Sequence, residues 1–305
     1  MIPKELLAAL RKIAIVTDKL ANDQLSGAYV SSFRGQGLAF REVRPYQAGD
    51  DVRTIDWNVS ARMNEPFIKL FVEEREMTVM LVVDLSLSEN FGTRRAFKSR
   101  VLSEVVALLS FSAIRHGDRI GLITVSDRVE RILPPKRGDK HAMRVVRDVF
   151  AHTPTAAPSK PQGPWPMGAG TNLGEGLRTL VRVARRRSVA FVMSDYFDTT
   201  HEHALALAAA KHDLIPIVLV DACDNELPDA GLVTFQDVES GQTLVVDTSD
   251  TRVRAHYAHA MKEWRASQRR MFSKYGLDVV EIDTGRSFVQ PIRELFQRRA
   301  RRARA

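Results

Sequence analysis

The stretch of sequence that decides the fold is VMLVVDLSLS at residues 79–88. Its first half is a short, continuous run of apolar, mostly branched side chains, which predicts a strand buried on both faces of a sheet. The run ends at Asp84, and two hydroxyl side chains follow at alternate positions, Ser86 and Ser88. Ligands bind at the carboxyl ends of strands in α/β sheets, and oxygen ligands of this kind suit Mg²⁺. The stretch therefore belongs either to a metal site or to a turn and helix cap, which Asp and Ser also favour.

Short apolar runs alternate with amphipathic segments after residue 77, which predicts an α/β fold with a mostly parallel, doubly wound sheet and helices on both faces. The predicted strands are 78–84, 119–125, 189–194, 215–220 and 278–282, with an edge strand at 129–133. The predicted helices are about 94–115, 139–151, 173–186, 200–212, 251–275 and one starting near Val289. Residues 154–170 form a predicted Pro/Gly-rich loop, and residues 231–248 an inserted hairpin that turns at 239–241.

The first 76 residues have a different character. Residues 3–21 carry apolar side chains at helical spacing, and the chain then becomes glycine-rich with short extended runs. We therefore divide the chain into an N-terminal helix and β-rich layer at 1–76, an α/β domain at 77–297 and a basic tail at 298–305.

One segment of the N-terminal layer is dense in charged and aromatic residues. These residues are Asp50, Asp51, Arg53, Asp56, Trp57 and Arg62. Such density predicts a buried polar network that locks the layer onto the sheet. A partner-binding surface is the alternative interpretation.

Charge and cysteine content restrict the function. The net charge is +8, but the tail at 298–305 holds five arginines and no acid, and without it the charge is +3 (8 − 5). The tail could contact nucleic acid, although arginines that complement the dipole of a solvated helix end explain it more simply. The single cysteine, Cys223, fits a reducing cytoplasm. No apolar run approaches the ~18 residues of a membrane span, and no secretory signal is present at the start.

Two further oxygen-bearing residues occur at positions that match Asp84. Thr171 lies in a loop before a predicted helix, and Asp195 directly follows the predicted strand 189–194. If the strands 78–84 and 189–194 are neighbours, both loops open at the same edge of the sheet as Asp84. The candidate set then comprises Asp84, Ser86, Ser88, Thr171 and Asp195, which together offer two carboxylates and three hydroxyls.

This order of residues resembles the metal-ion-dependent adhesion site of von Willebrand factor A (vWA) domains, with its Asp-x-Ser-x-Ser motif, loop threonine and strand-end aspartate. The chain also resembles a bacterial vWA-like family called domain of unknown function 58. The segments similar to that family are 33–40, 46–57, 71–76, 237–248 and 286–291. Tyr196 stands where vWA domains usually have glycine, although Ser-Asp-aromatic is typical of the 58 family. Members often carry N-terminal transmembrane helices, so this chain resembles the shorter soluble form.

The resemblance implies protein binding in the cytoplasm rather than catalysis. It implies that Asp84, Ser86 and Ser88 contact Mg²⁺ (or Mn²⁺ or Ca²⁺) directly, with Thr171 bound directly or through water and Asp195 through water. An acidic side chain of a partner would complete the metal shell. Members of the family are typically encoded beside MoxR-type AAA+ ATPases, which implies an adaptor or assembly factor for such an ATPase.

An Mg²⁺-dependent phosphoryl-transfer enzyme is the main alternative. A haloacid-dehalogenase-like phosphatase also places an aspartate at a strand end, but it needs a second carboxylate two residues later as general acid. That position is Ser86, whose hydroxyl cannot act as an acid at neutral pH. The sequence therefore favours a binding protein over an enzyme, with nucleic-acid binding through the tail as the remaining alternative.

Overall fold

The computed structural model describes residue 29 and residues 38–73, 76–86, 98–151, 171–198, 200–236 and 243–302. Its strands are β1 Leu38–Pro45, β2 Phe67–Glu73, β3 Thr78–Asp84, β4 Arg119–Val125, β5 Val129–Lys136, β6 Val189–Ser194, β7 Asp213–Val220, β8 Leu232–Gln236, β9 Thr243–Asp247 and β10 Val280–Asp283. Its α-helices are α1 Trp57–Met63, α2 Lys98–Arg115, α3 Asp139–Phe150, α4 Leu173–Val183, α5 Glu202–Lys211, α6 Thr251–Lys274 and α7 Val289–Arg302.

Six strands form the central sheet in the order β10-β7-β6-β3-β4-β5. All neighbours in it are parallel except β5, which pairs with β4 in the antiparallel direction at the edge. The strand that carries the deciding stretch, β3, lies between β6 and β4, and every residue from Val79 to Asp84 is buried. The prediction of a vWA-like α/β fold with a mostly parallel sheet is therefore confirmed.

Helices cover both faces of this sheet. Val79, Leu81 and Val83 belong to the apolar core that also contains side chains of α2, α3 and α7. Met80 and Val82 belong to a second core with side chains of α4, α5 and α6. Because successive side chains of a strand point to opposite faces, one continuous apolar run supplies both cores.

The element boundaries follow the sequence closely, with small corrections. The helix predicted at 173–186 ends at Val183, because Ala184 is already extended. The strand predicted from 215 begins at Asp213, and the one predicted from 278 begins at Val280. The inserted hairpin is present as a separate two-stranded sheet of β8 and β9. The helix predicted at 3–21, the loop at 154–170 and the turn at 239–241 lie outside the described residues, and α2 is described only from Lys98 onward.

The N-terminal layer contains an antiparallel pair, β1 and β2, and the short helix α1 lies between these two strands in the chain. The expectation that its charged segment forms a buried network is wrong. Asp56 is buried (9% exposed), whereas Trp57 is 71% exposed. The other exposed members are Asp51, Arg53 and Arg62, while Asp50 is partly exposed.

The acids of this segment act within their own turns instead. Asp56 accepts hydrogen bonds from the backbone N–H groups of Asn58 and Val59, and so forms the N-cap of α1. Asp51 caps the 3₁₀ turn at Val52–Thr54 in the same way. Asp50 holds Arg44 in a two-pronged ion pair (2.7 and 2.8 Å). Each carboxylate, including that of the buried Asp56, is satisfied by groups close to it in the chain, so the segment does not depend on a shared buried network.

Candidate functional site

Asp84 is the last residue of β3, and its side chain is fully buried. One carboxylate oxygen accepts a hydrogen bond from the backbone N–H of Ser86 (2.9 Å), and the other accepts one from the hydroxyl of Ser194 (2.7 Å). Burial, together with the negative charge of Asp195, raises the pKa of Asp84 to about 7. The carboxylate is thus held in a fixed orientation where a bound cation would stabilise its charged form.

Asp195 lies beside Asp84 because their strands are neighbours. β3 and β6 are parallel, and Val83 pairs with Met193, which brings Ser194 level with Asp84. Asp195 follows at once and is also buried (2% exposed), with one oxygen accepting from the backbone N–H of Phe197 (3.2 Å). The prediction that the strands 78–84 and 189–194 are neighbours, on which the candidate set of site residues depended, is therefore confirmed.

Thr171 lies at the same edge of the sheet. The backbone N–H of its neighbour Asn172 donates to the carbonyl of Ser126, directly after β4 (2.7 Å), and that of Leu85 donates to Val125 at the end of β4 (2.7 Å). These bonds tie the loops after β3 and β4 to the start of α4.

A cleft of about 460 Å³ opens at the start of α4, lined by Asp127, Thr171, Asn172, Arg178 and Thr200. Ser86 is buried at this edge, whereas Ser88 lies outside the described residues.

Tyr196 stands directly after Asp195, at the position of the glycine in the vWA pattern. Its φ angle is +60°, in the left-handed region that glycine adopts without strain. Contacts of its buried side chain stabilise this conformation. The hydroxyl donates to the carbonyl of Val192 (2.9 Å), the ring packs edge-on against Phe272 and His201, and Gln268 donates to the Tyr196 carbonyl. In the turn after Asp195, Tyr196 thus holds a backbone conformation that usually favours glycine.

Sequence reasoning missed two residues at this edge, Ser194 and Lys98. Ser194 orients Asp84, and its signal was a hydroxyl in the last position of a strand predicted to lie beside β3. The ammonium of Lys98 lies 3.3 Å from Asp195 and 2.9 Å from Asp224. Lys98 could have been found from the sequence because it lies on the apolar stripe of a helix. Val101, Leu102 and Val105 follow it by three, four and seven residues.

The donor chemistry of this edge suits a hard divalent cation. Asp84, Ser86 and Asp195 offer only oxygen atoms, and hydroxyls leave more of the ion's charge uncompensated than carboxylates would. No group of three or more His, Cys, Asp or Glu residues in the described part of the chain is placed to hold a metal ion.

Two arginines of the C-terminal tail, Arg299 and Arg302, are engaged with acids of the domain. Arg299 forms ion pairs with Asp213 and with Asp278 (3.1 Å), and Arg302 pairs with Asp278 (2.8 Å). These pairs attach α7 to the ends of neighbouring elements, as expected for a stabilised helix end. Separately, none of the helices in the described ranges is long and apolar enough to cross a membrane.

The sheet order, the Asp-x-Ser sequence at the end of β3 and the aspartate at the end of β6 define a vWA-like protein. A family model described as protein of unknown function DUF58 matches residues 42–267, and the chain belongs to this family. It is 31% identical over 301 residues to an uncharacterized protein of Mycobacterium tuberculosis, a match that covers 98% of this chain and 91% of that protein.

Solved structures with a similar fold are more distant in sequence. BatB from Bacteroides thetaiotaomicron is 16% identical with a TM-score of 0.41, and the match covers 74% of this chain and 99% of that chain. The vWA domain of SpRpn10 is 12% identical with a TM-score of 0.42, covering 73% of this chain and 97% of that chain.

Proposed function

We propose that this protein is a Mg²⁺-dependent protein-interaction module and not an enzyme. Asp84, Ser86 and Ser88 would contact the ion directly, Thr171 directly or through water, and Asp195 through water. When bound, the ion supplies a positive charge that a carboxylate of a partner protein can neutralise. Mn²⁺ and Ca²⁺ bind the same kind of oxygen ligands and would serve as substitutes.

One observation carries this proposal: the carboxylate of Asp84 is fully buried at the carboxyl end of a central strand, beside a second buried carboxylate. Two acids placed together away from water repel each other, and burial disfavours their charged forms. A bound cation removes both penalties at once. The bond from the Ser86 N–H is one that a simple turn also makes, whereas the bond from the Ser194 hydroxyl comes from the neighbouring strand and fixes the carboxylate at the sheet edge.

The cleft beside Thr171 supports an acidic partner. Arg178 lines it and contributes a positive charge, although its side chain is paired with Glu175 (2.9 Å). A carboxylate that enters the cleft would meet this cationic side chain next to Thr171, one of the residues predicted to hold the ion. We place this interaction in the cytoplasm and propose a MoxR-type AAA+ ATPase as partner, with the protein as its adaptor or assembly factor, on the basis of the family resemblance.

Phosphoryl transfer is the less favoured function. Ser86 is buried, and it stands where a phosphatase of the kind considered above needs its general acid. Nucleic-acid binding is also less favoured, because Arg299 and Arg302 are already paired with Asp213 and Asp278.

The experiment is a Mn²⁺ titration followed by electron paramagnetic resonance, comparing wild type with Asp84→Asn. We expect one saturable site in wild type and none in the variant, and we expect chelator and the variant alike to abolish capture of a purified MoxR-type ATPase. The ion-free variant should be at least as stable as wild type at pH 8. In wild type the pKa of Asp84 in the folded protein, about 7, lies above the usual 3.8, so the charged carboxylate destabilises the fold at high pH. The amide of the variant does not.

Asp247→Asn is the matched control, because Asp247 is an exposed strand-end aspartate on β9 whose carboxylate accepts hydrogen bonds from Ser249 in its local turn. It should bind Mn²⁺ as wild type does. Equal Mn²⁺ binding by wild type and Asp84→Asn, or ATPase capture that persists in chelator, would refute the proposed function.

A further inference from the structure

Lys98 is the buried cation of the candidate site. Its side chain is only 2% exposed, and its ammonium contacts two carboxylates, each of which follows the end of a different strand. Asp195 follows β6, and Asp224 lies in the short turn after β7. The ammonium also lies 5.4 Å from the centre of the Phe197 ring. Lys98 therefore sits among acids of the site and not on the outer surface of α2.

A lysine is rarely buried unless it is paired, because the charged ammonium loses its hydration. Here Asp195 (2% exposed) and Asp224 (8% exposed) supply the compensating charge. Conversely, Lys98 neutralises part of the negative charge that Asp84 and Asp195 bring together. The same carboxylate of Asp195 is thus available to two cations, the ammonium and a divalent ion.

We propose that Lys98 is an internal counter-ion of the metal site, which pairs with both Asp195 and Asp224 in the ion-free protein and keeps Asp224 as its carboxylate partner when a divalent cation binds. This inference rests on the proposed function. It adds a residue outside the vWA pattern and assigns to it control over how tightly the site holds its ion.

The geometry makes this exchange a short movement. Asp224 is already the nearer partner, at 2.9 Å against 3.3 Å for Asp195. The Asp224 carboxylate is held in place, since it accepts from the backbone N–H of Asp221 (2.9 Å) and lies 4.0 Å from Arg265. Repulsion between the bound ion and the ammonium favours the shift away from Asp195.

The positive charge of Lys98 lowers the affinity of the partner-free protein for the ion. The contacts of Lys98 also connect the ion site to the protein surface next to it. Phe197, which contacts Lys98, is 40% exposed and stacks on Trp264 of α6 with ring centres 4.5 Å apart. A partner carboxylate that adds negative charge near the ion opposes the effect of Lys98. Ion and acidic partner should therefore bind cooperatively.

The test measures Mn²⁺ affinity by electron paramagnetic resonance in wild type, Lys98→Met and Lys98→Arg. Removing a positive charge this close to the ion should tighten binding at least about tenfold in Lys98→Met, whereas Lys98→Arg should stay near wild type. The control is Lys274→Met, which changes the net charge equally but removes an exposed lysine paired with Glu202 (2.8 Å). It should leave Mn²⁺ affinity unchanged.

Thermal unfolding provides a second measurement. Ion-free Lys98→Met should melt below wild type, since buried carboxylates lose their counter-ion, and Mn²⁺ should raise its melting temperature by more than that of wild type. If Lys98→Met does not fold, Asp224→Asn replaces it. That variant removes the negative charge of Asp224, so Asp195 has to compensate more of the Lys98 charge. Mn²⁺ should then bind several-fold more weakly than in wild type.

The outcomes separate this proposal from the one on which it rests. Mn²⁺ binding that depends on Asp84 but is no tighter in Lys98→Met, or is unchanged in Asp224→Asn, would overturn the role of Lys98 and leave the ion site standing. Saturable, Asp84-dependent binding in wild type that becomes tighter in Lys98→Met would support both. A complete absence of binding in wild type and in every variant would overturn both.

Discussion

Replacing Gly176 by alanine should destabilise the protein through the packing of α4 on the central sheet. A Cβ atom at this position would lie 2.6 Å from Cγ1 of Val125 on β4 and 3.2 Å from Cγ1 of Val82 on β3. Both neighbours are β-branched side chains with little rotamer freedom, so the clash must be relieved by moving the helix. Because α4 begins next to Thr171, the same movement would displace one wall of the cleft.

Two opposing effects set the magnitude. Alanine in a helix interior is favoured over glycine by about 1 kcal/mol, whereas overpacking a tight core costs about 1–3 kcal/mol. Gly174, two residues earlier on the same helix, separates these effects. The nearest atom to a Cβ there is Nη1 of Arg178 at 3.4 Å, an ordinary contact with a flexible side chain. Gly174→Ala should therefore be neutral or stabilising, and Gly176→Ala should be less stable than it by about 1–3 kcal/mol.

The assay is urea unfolding of both variants followed by circular dichroism, with the free energy of unfolding taken from the linear dependence on urea. Equal slopes in the two variants would show that the difference arises in the folded state. A Gly176→Ala protein as stable as Gly174→Ala would refute the close approach of α4 to β3 and β4. It would also weaken the placement of Thr171 at this edge.

Two further predictions concern other parts of the chain. Burial, aided by the charges of Lys211 and Arg187, lowers the pKa of His212 to about 4. The unfolded histidine takes up its proton near pH 6.5, so stability present above that pH is lost as the pH falls toward 4. His212→Phe should flatten the dependence of unfolding free energy on pH in this window, and an unchanged slope would contradict the burial. Trp57→Ala, which removes a 71% exposed side chain, should change the free energy of unfolding by less than about 0.5 kcal/mol. If the variant does not fold, Trp57 does lock the N-terminal layer onto the sheet, contrary to what its exposure indicates. A stable variant that no longer captures the ATPase would identify a partner-binding surface.

The alternation of strands and helices could be predicted from the sequence because it depends on local patterns. The run before Asp84 is apolar at every position, which only a strand covered on both faces requires, and β3 is buried in this way. The N-terminal segment shows where such reasoning fails. Its density of charge indicated a buried network, but Asp51 and Asp56 bind the N–H groups of their own turns, and a local cap looks the same in sequence as a buried partner.

The backbone of Tyr196 could not be predicted either. Left-handed φ angles are disfavoured for a residue with a Cβ atom, so the local sequence argued for another conformation. Contacts with Phe272 and Gln268, more than seventy positions along the chain, stabilise the turn. Tertiary packing has overridden a local preference here, and the aspartate before it is placed at the edge as a result.

The sequence alone determined the fold class, the strand that carries Asp84 and the set of oxygen-bearing residues, because these follow from hydrophobic periodicity and from the chemistry of side chains at strand ends. Only the tertiary structure decided which groups meet. Ser194 reaches Asp84 across 110 positions and Lys98 reaches Asp195 across 97, through crossover connections that place β6 beside β3. Local patterns record which side chains need burial, whereas the electrostatics of a site depend on distances that arise when the sheet is assembled.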